Sequence, residues 1–188
     1  MPAVTKTPRS GWVEAGLRAL AAGGPDAVRV EALAEALGVT KGGFYGHFAD
    51  RNELLADMLD TWERMSTDDV LTRVEAKERD ARAKVRLAGM LTFSGDLLPV
   101  DLAIRDWARR DQSVAARLRR VDNRRMEYLR VLFGAMCTDD DEIEARSVLA
   151  FTLMIGQHFM AADHGARTHA GALELAGQWL LDDREDLA

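Results

Sequence analysis

Residues 30–55 carry the pattern that most constrains the fold of this 188-residue chain. Apolar residues recur there at the three- and four-residue spacing of one helix face, at Val30, Leu33, Ala34 and Leu37. Gly38 follows directly and can adopt the left-handed conformation that ends a helix. Thr40 then offers a hydroxyl at the start of a second helix. The segment is therefore predicted to form a helix-turn-helix, followed by a third helix that begins near Arg51.

The second predicted helix has one aromatic face and one exposed face of unusual composition. Phe44 and Phe48 lie four residues apart and are expected to be buried, which leaves the other sides for Thr40, Lys41, Gly43, Tyr45 and His47. A lysine beside the free N–H groups of a helix start favours a phosphate ligand. Two adjacent glycines cost about 1 kcal/mol each within a helix, so close approach of a partner explains Gly42 and Gly43 better than local stability does. This surface predicts contact with a DNA major groove.

Residues 38–54, which read Gly-Val-Thr-Lys-Gly-Gly-Phe-Tyr-Gly-His-Phe-Ala-Asp-Arg-Asn-Glu-Leu, resemble the DNA-binding motif of the TetR family of bacterial transcriptional repressors. The resemblance implies an all-α fold with an N-terminal three-helix DNA-binding domain and a C-terminal helical bundle that binds ligand and dimerises. It also implies DNA-backbone contacts at Thr40, Lys41, Tyr45 and His47, and base reading near Gly42, Gly43 and Gly46. Arginine stands at position 51, where the family usually has a lysine at the DNA.

Arg29 departs from the family pattern, which usually has threonine at the start of the first helix of the motif. Arginine cannot cap a helix by accepting a backbone N–H, but it can reach a phosphate. With three glycines on the recognition helix, few side chains remain to read base edges. Specificity is therefore expected to depend on DNA shape, on Arg29 or on the N-terminal arm.

Charge and cysteine content restrict the environment and the class of protein. The formal net charge is −6, yet residues 1–51 hold six basic and five acidic side chains, so the acidity lies in the rest of the chain. Cys137 is the single cysteine, which is consistent with a reducing compartment. The sequence shows no signal peptide and no apolar run long enough for a membrane span, so a cytoplasmic protein is predicted. No cofactor and no bound metal are expected.

The remainder of the chain also has the pattern of helices, and two domains are predicted, 1–55 and 56–188. Residues 1–9, which contain Pro2 and Pro8, are expected to form a mobile arm, with Ser10 capping the first helix. Asp111 and Thr168 are expected to cap two later helices. Thr138, followed by Asp141 three residues later, is expected to form a capping box.

The last two predicted helices are apolar on more than one side and need more cover than one chain provides. A two-fold dimer through a four-helix bundle is therefore predicted, as the family resemblance also implies. Its interface is expected to include Phe151, Ile155, Phe159, Leu173, Ala176, Trp179 and Leu180. The alternative is a monomer whose last helix folds back on its own chain.

A ligand cavity is expected between the helices of the second domain. The candidate lining residues combine apolar, thioether and hydrogen-bonding groups and comprise Trp62, Met90, Phe93, Trp107, Tyr128, Phe133, Met154 and His158. For any single one of them, ordinary core packing is the favoured explanation. Asp101 and Arg125 could be polar groups of such a pocket, a buried pair or surface ion pairs.

These patterns together predict a homodimeric regulator of transcription, a repressor that binds a palindromic operator in double-stranded DNA. A small apolar or amphipathic effector is expected to release it. An architectural DNA-binding protein without an inducer is the first alternative. An enzyme is the second, although the sequence contains no nucleophile elbow, phosphate loop, dinucleotide-binding glycine pattern or metal-binding Glu-x-x-His pair.

Overall fold

The computed structural model describes residues 7–93 and 95–182 and is all-α in these ranges, which confirms the predicted fold class. A short 3₁₀ turn at Pro25–Ala27 separates the first two α-helices. The ten α-helices of the described ranges are α1 (Arg9–Gly23), α2 (Val30–Ala36), α3 (Lys41–Tyr45), α4 (Arg51–Ser66), α5 (Asp68–Lys77), α6 (Ala81–Thr92), α7 (Leu97–Ala108), α8 (Gln112–Gly134), α9 (Asp140–Gly156) and α10 (His169–Leu181).

The chain forms two compact units, each with its own core. The first comprises residues 7–69 and 95–121, and the second comprises residues 70–93 and 122–182. The division does not coincide with the boundary predicted at residue 55, through which α4 runs without a break. A functional boundary there stays a prediction.

The first unit is built around α1, whose small and apolar residues lie against α4 and α7. Trp12 and Leu20 of α1 are fully buried together with Phe44 and Trp62. A Cβ on Gly16 would lie 2.6 Å from the sulfur of Met58, so α1 and α4 approach each other as closely as the glycine allows. The predicted apolar face of α2 is confirmed, since Val30, Leu33 and Ala34 are buried and Leu37 packs against the same core.

The second unit packs α6, α8, α9 and α10 around Phe133, which is fully buried beside Leu129, Leu132 and Ala150. Two arginines hold the end of α10 in place through its last carbonyl groups. Arg82 donates to the carbonyl oxygen of Leu181 at 2.8 Å, and Arg146 donates to that of Leu180 at 2.9 Å.

The structure confirms some predicted helix caps and corrects others. Asp111 and Thr168 accept backbone N–H groups at the starts of α8 and α10 as expected. The capping box at Thr138 is wrong, because Asp139 lies at the start of α9 and accepts the N–H of Glu142 instead. Ser10 does not cap α1 either, since that helix already begins at Arg9 after Pro8.

No single helix in the described ranges is long and apolar enough to span a membrane. Helices α6 and α7, which are separated by a short break, reach that length and composition only when they are counted together.

Candidate nucleic-acid interface

The short helix α3 is placed by a glycine turn before it and by aromatic packing beneath it. Gly38 has a φ of +67°, the left-handed conformation expected where α2 ends. Phe44 lies 5.1 Å from the ring of Phe48 in a stacked arrangement and 5.4 Å from the ring of Trp12, edge to face. These contacts bury one side of α3 and leave the opposite side exposed.

Thr40, Lys41 and Tyr45 lie on that exposed side, as the sequence predicted, and so does Gly42, whereas Gly43 and His47 are half-buried. Thr40 stands at the start of α3, but its hydroxyl makes no capping hydrogen bond to the helix. Tyr45 is 55% exposed, a large fraction for an aromatic side chain. Arg29, at the start of α2, is also exposed and its side chain does not cap that helix. These exposed residues, four with polar side chains and one glycine, are therefore accessible to a partner.

Lys41 is paired with Glu31 of α2, a contact that the sequence analysis did not anticipate. The hydrogen bond from Lys41 lowers the pKa of the Glu31 carboxyl below its ordinary value, and the same bond raises the pKa of the lysine. Both side chains are largely exposed, so solvent screens the pair. Glu31 therefore competes with any phosphate for the charge of Lys41.

Gly42 and Gly43 are not required by packing within the protein. A Cβ on Gly42 would meet only the hydroxyl of Thr40, at 3.7 Å, and one on Gly43 would meet only the ring of Trp12, at 3.9 Å. Both distances are ordinary van der Waals contacts. Gly42 is exposed, so the absence of a side chain there leaves this side of α3 open to a partner, whereas Gly43 is half-buried beside Trp12.

His47 and Arg51 occupy different surroundings from those that the family resemblance implied. The Nε2 atom of His47 is buried and has no hydrogen-bond partner among the described residues. Arg51 donates from Nε to the carbonyl oxygen of Val28 at 2.6 Å and from Nη2 to that of Pro25. Arg51 therefore ties the start of α4 to the 3₁₀ turn, and a DNA contact at either residue stays a prediction.

Arg9 is the residue of this region whose importance the sequence analysis missed. It belongs to the predicted mobile arm, whose residues 1–6 lie outside the described ranges, but its guanidinium group lies 4.2 Å from the centre of the Phe48 ring. It also binds Asp57 at 2.6 Å, Glu53 at 2.8 Å and the carbonyl oxygen of His47. No local pattern reveals these contacts, because the partners lie 38 to 48 residues away.

The predicted ligand-binding residues do not form one group. Trp62 and Trp107 belong to the first unit, where Trp62 is fully buried and donates from Nε1 to Asp101 at 3.3 Å. An open groove of about 930 Å³ in that unit, between α1, α4 and α7, includes Trp62 in its lining. The other six lie in the second unit, comprising Met90, Phe93, Tyr128, Phe133, Met154 and His158.

Those six residues differ in their accessibility. Met90 is exposed, whereas Phe93 and Phe133 are buried, and Phe93 contacts the guanidinium group of Arg125. Tyr128 donates its hydroxyl to Glu75 at 2.7 Å, so this group is already occupied. The Nε2 atom of His158 is buried without a partner among the described residues. Asp101 and Arg125 are both buried, and they belong to different units.

The predicted interface residues fall into an exposed and a covered set. Phe159 and Trp179 are strongly exposed, and Phe151, Ile155, Leu173 and Ala176 are half-buried. Leu180 is covered by its own chain and belongs to the core of the second unit. The described residues include no group of three or more His, Cys, Asp and Glu side chains placed to hold a metal ion.

Residues 13–58, which include α2, α3 and the turn at Gly38, match the model of the bacterial regulatory proteins of the tetR family. This part of the chain is a tetR-family helix-turn-helix. The matched segment begins within α1 and ends within α4, so it contains the whole helix-turn-helix. This confirms the relationship that the motif at residues 38–54 indicated.

Solved structures show that the TetR-like fold extends over nearly the whole chain. AibR, crystallised with isovaleryl coenzyme A and operator DNA, has 15% sequence identity and a TM-score of 0.66 over 91% of this chain and 96% of its own. A TetR-family regulator from Rhodococcus sp. has 19% identity and a TM-score of 0.62, covering 92% and 95%. One from Mesorhizobium loti has 18% identity and a TM-score of 0.63, covering 92% of each chain. A comparison with curated protein sequences finds no match.

Proposed function

We propose that this chain is a TetR-family, sequence-specific transcriptional repressor that binds a palindromic operator as a homodimer and is released by a small apolar or amphipathic ligand. The exposed face of α3 carries the proposal. It presents Lys41 and Tyr45 as hydrogen-bond donors for phosphate oxygens, and Gly42, whose backbone no side chain covers. A helix with this composition suits insertion into the major groove.

A second copy of the chain is the proposed partner of α9 and α10. These helices expose large apolar side chains at Val148, Leu149, Leu175 and Trp179, and Trp179 is 63% exposed. Isolated exposed apolar residues are common, but a group of this kind on two adjoining helices is typical of an interface. Two-fold symmetry would then present two copies of α3 to successive major grooves, about 34 Å apart.

The proposed release mechanism requires the ligand to favour a conformation that cannot bind the operator. Trp62 joins α4 to α7 through its hydrogen bond to Asp101, and α4 begins directly after the turn that follows α3. A ligand that displaces α4 would therefore move α3 as well. AibR, which has a similar fold, is crystallised with isovaleryl coenzyme A and operator DNA together, which supports binding of both a ligand and DNA by such a fold but not the release step.

DNA selection tests the DNA-binding part of the proposal. The purified protein is used to enrich a randomised duplex library, and affinity for the enriched site is measured by anisotropy. We expect one palindrome to be enriched and the affinity to fall in Lys41→Ala and Tyr45→Ala. Lys77→Ala is the control, because it removes the same charge from an exposed position of α5 in the second unit. Equal binding of many sequences would favour an architectural protein instead.

Light scattering after size exclusion tests the homodimer. We expect twice the mass of the chain for the wild type and a monomer for Trp179→Glu. Val131→Glu is a matched control, since Val131 is 64% exposed on α8 and lies outside the proposed face. A monomeric wild type, or an unchanged Trp179→Glu dimer, would contradict the interface proposed here.

A further inference from the structure

We infer that Arg9 is a positioning residue for DNA binding, which acts by holding the turn between α3 and α4. This inference rests on the proposed function. The turn, residues 46–50, connects the end of the recognition helix to the start of α4. Arg9 lies at the first position of α1, more than 35 residues earlier in the chain.

One guanidinium group reaches three acceptors and one aromatic ring. Its Nη1 atom donates to the carbonyl oxygen of His47, within the turn. Its Nε atom donates to Asp57 at 2.6 Å, and its Nη2 atom donates to Glu53 at 2.8 Å. The planar group also covers Phe48 at 4.2 Å from the ring centre. Only arginine has the donors and the planar shape for all four contacts.

Glu53 extends the same network to the other side of the turn. Its second carboxylate oxygen accepts the backbone N–H of Ala49 at 2.6 Å, and its own N–H is accepted by Asp50 at 2.9 Å. The pKa of the Glu53 carboxyl lies below its ordinary value, first because the carboxylate accepts the N–H of Ala49 and second because it accepts a hydrogen bond from Arg9. The turn is therefore held through His47, Phe48, Ala49 and Asp50 together.

Phe48 transmits this restraint to the recognition helix. It lies beneath Arg9 on one side and stacks on Phe44 of α3 at 5.1 Å. Phe44 in turn packs against Trp12 of α1. Without Arg9, the turn and the ring of Phe48 gain freedom, and α3 occupies its DNA-competent orientation for a smaller fraction of the time. The apparent affinity falls by that fraction.

The positive charge of Arg9 does not itself serve as a phosphate ligand in this arrangement. Two carboxylates contact it, and they raise the pKa of the guanidinium group, Asp57 more than Glu53. Loss of Arg9 should therefore weaken DNA binding without changing the number of phosphates that the protein neutralises. That number is measurable, because it determines how steeply affinity decreases with salt concentration.

The test compares Arg9→Ala, Arg9→Lys, Lys41→Ala and Arg18→Ala on the selected operator at several salt concentrations. We expect Arg9→Ala to lose about tenfold in affinity with an unchanged salt slope, whereas Lys41→Ala lowers the slope by about one. Arg9→Lys keeps the charge and the stem over Phe48 but cannot reach three acceptors, so it should also bind more weakly. Arg18→Ala, an exposed position on the same helix, should bind like the wild type.

Amide hydrogen exchange of the free protein separates this inference from the proposed function. We expect faster exchange at His47, Phe48 and Ala49 in Arg9→Lys and in Arg9→Ala, with unchanged helical circular dichroism. Unchanged exchange would overturn the inference, as would wild-type affinity in both variants or a salt slope that falls by one. Failure of the wild type to select any operator, with exchange accelerated as expected, would instead refute the proposed function.

Discussion

The indole nitrogen of Trp62 in α4 donates a 3.3 Å hydrogen bond to Oδ1 of Asp101 in α7, and both side chains are completely buried. The other carboxylate oxygen of Asp101 accepts from Nε of Arg105 at 2.8 Å. A buried carboxylate is tolerated only when such partners replace its lost water. This pair therefore holds α4 and α7 in one arrangement within the first unit.

Asp101→Ala is expected to lower the free energy of unfolding by about 3 kcal/mol, because it leaves a buried indole N–H without its partner and deprives Arg105 of its carboxylate. Urea unfolding followed by circular dichroism measures the change. Asp106→Ala is the control on the same helix, since Asp106 forms an exposed pair with Arg110, and a loss below about 1 kcal/mol is expected there. Equal losses in the two variants would contradict the importance given to burial.

Gly42→Ala should change stability and DNA affinity in opposite directions. The new methyl group meets only the Thr40 hydroxyl, at 3.7 Å, so the free protein should gain up to about 1 kcal/mol of stability from helix propensity. In the proposed complex the same methyl group would lie where the DNA approaches, so the affinity for the selected operator should fall. Thermal unfolding and anisotropy measure the two effects.

Gly16→Ala is the matched control for that substitution. A Cβ there would lie 2.6 Å from the sulfur of the buried Met58, so the free protein should lose about 1 to 3 kcal/mol of stability. A Gly42→Ala protein that binds the operator as well as the wild type does would show that the backbone at Gly42 is not close to DNA.

Glu31→Gln is expected to raise the affinity for DNA several-fold. Lys41 is paired with Glu31 in the free protein, and a neutral glutamine at position 31 would leave the charge of Lys41 available for a phosphate. In the free wild type, the carboxyl carbon of Glu31 should titrate in nuclear magnetic resonance with a pKa below the ordinary value, and Lys41→Ala should return it towards that value. Unchanged DNA affinity in Glu31→Gln would show that the pair does not compete with DNA.

The folded protein should become less stable above about pH 10, in part through Tyr128. The pKa of the Tyr128 phenol is raised above its ordinary value. Burial is the largest cause, and the hydrogen bond to Glu75 is the second. The folded state thus favours the neutral phenol. This contribution to the free energy of unfolding is complete below the ordinary pKa and is lost as the pH rises through the raised one.

A spectroscopic titration tests the behaviour of Tyr128 directly. The chain has two tyrosines, so Tyr45→Phe leaves Tyr128 as the single source of phenolate absorbance. We expect this absorbance to appear at a higher pH in the folded protein than in urea. Glu75→Gln should lower the folded-state midpoint, because the negative charge beside the phenol is removed. Identical midpoints in folded and unfolded protein would contradict the pKa shift.

Sequence reasoning located the helix-turn-helix accurately because its signals are local. The spacing of Val30, Leu33 and Ala34 defines a helix face, and Gly38 ends the helix by a conformation that depends on its own lack of a Cβ. Burial of Phe44 and exposure of Lys41 follow from helix geometry alone. The same reasoning identified Asp111 and Thr168 as caps, since capping joins residues two or three positions apart.

The contacts of the charged side chains could not be predicted from local sequence patterns. Arg51 is bound to carbonyl oxygens 23 and 26 residues before it, and Lys41 is bound to a glutamate ten residues before it. An arginine or lysine has the same local pattern whether it holds the backbone or faces solvent. Which of these occurs depends on the path of the distant chain.

The sequence by itself determined the helical content, the position of the recognition helix and the exposed face that it presents, because each depends on side chains within about one turn of one another. Tertiary structure decided that Arg9 holds the turn after α3, that Trp62 pairs with Asp101, and that the predicted ligand residues divide between two units. The physical reason is that hydrogen bonds and packing act over a few ångströms in space, whereas these partners lie tens of residues apart along the chain.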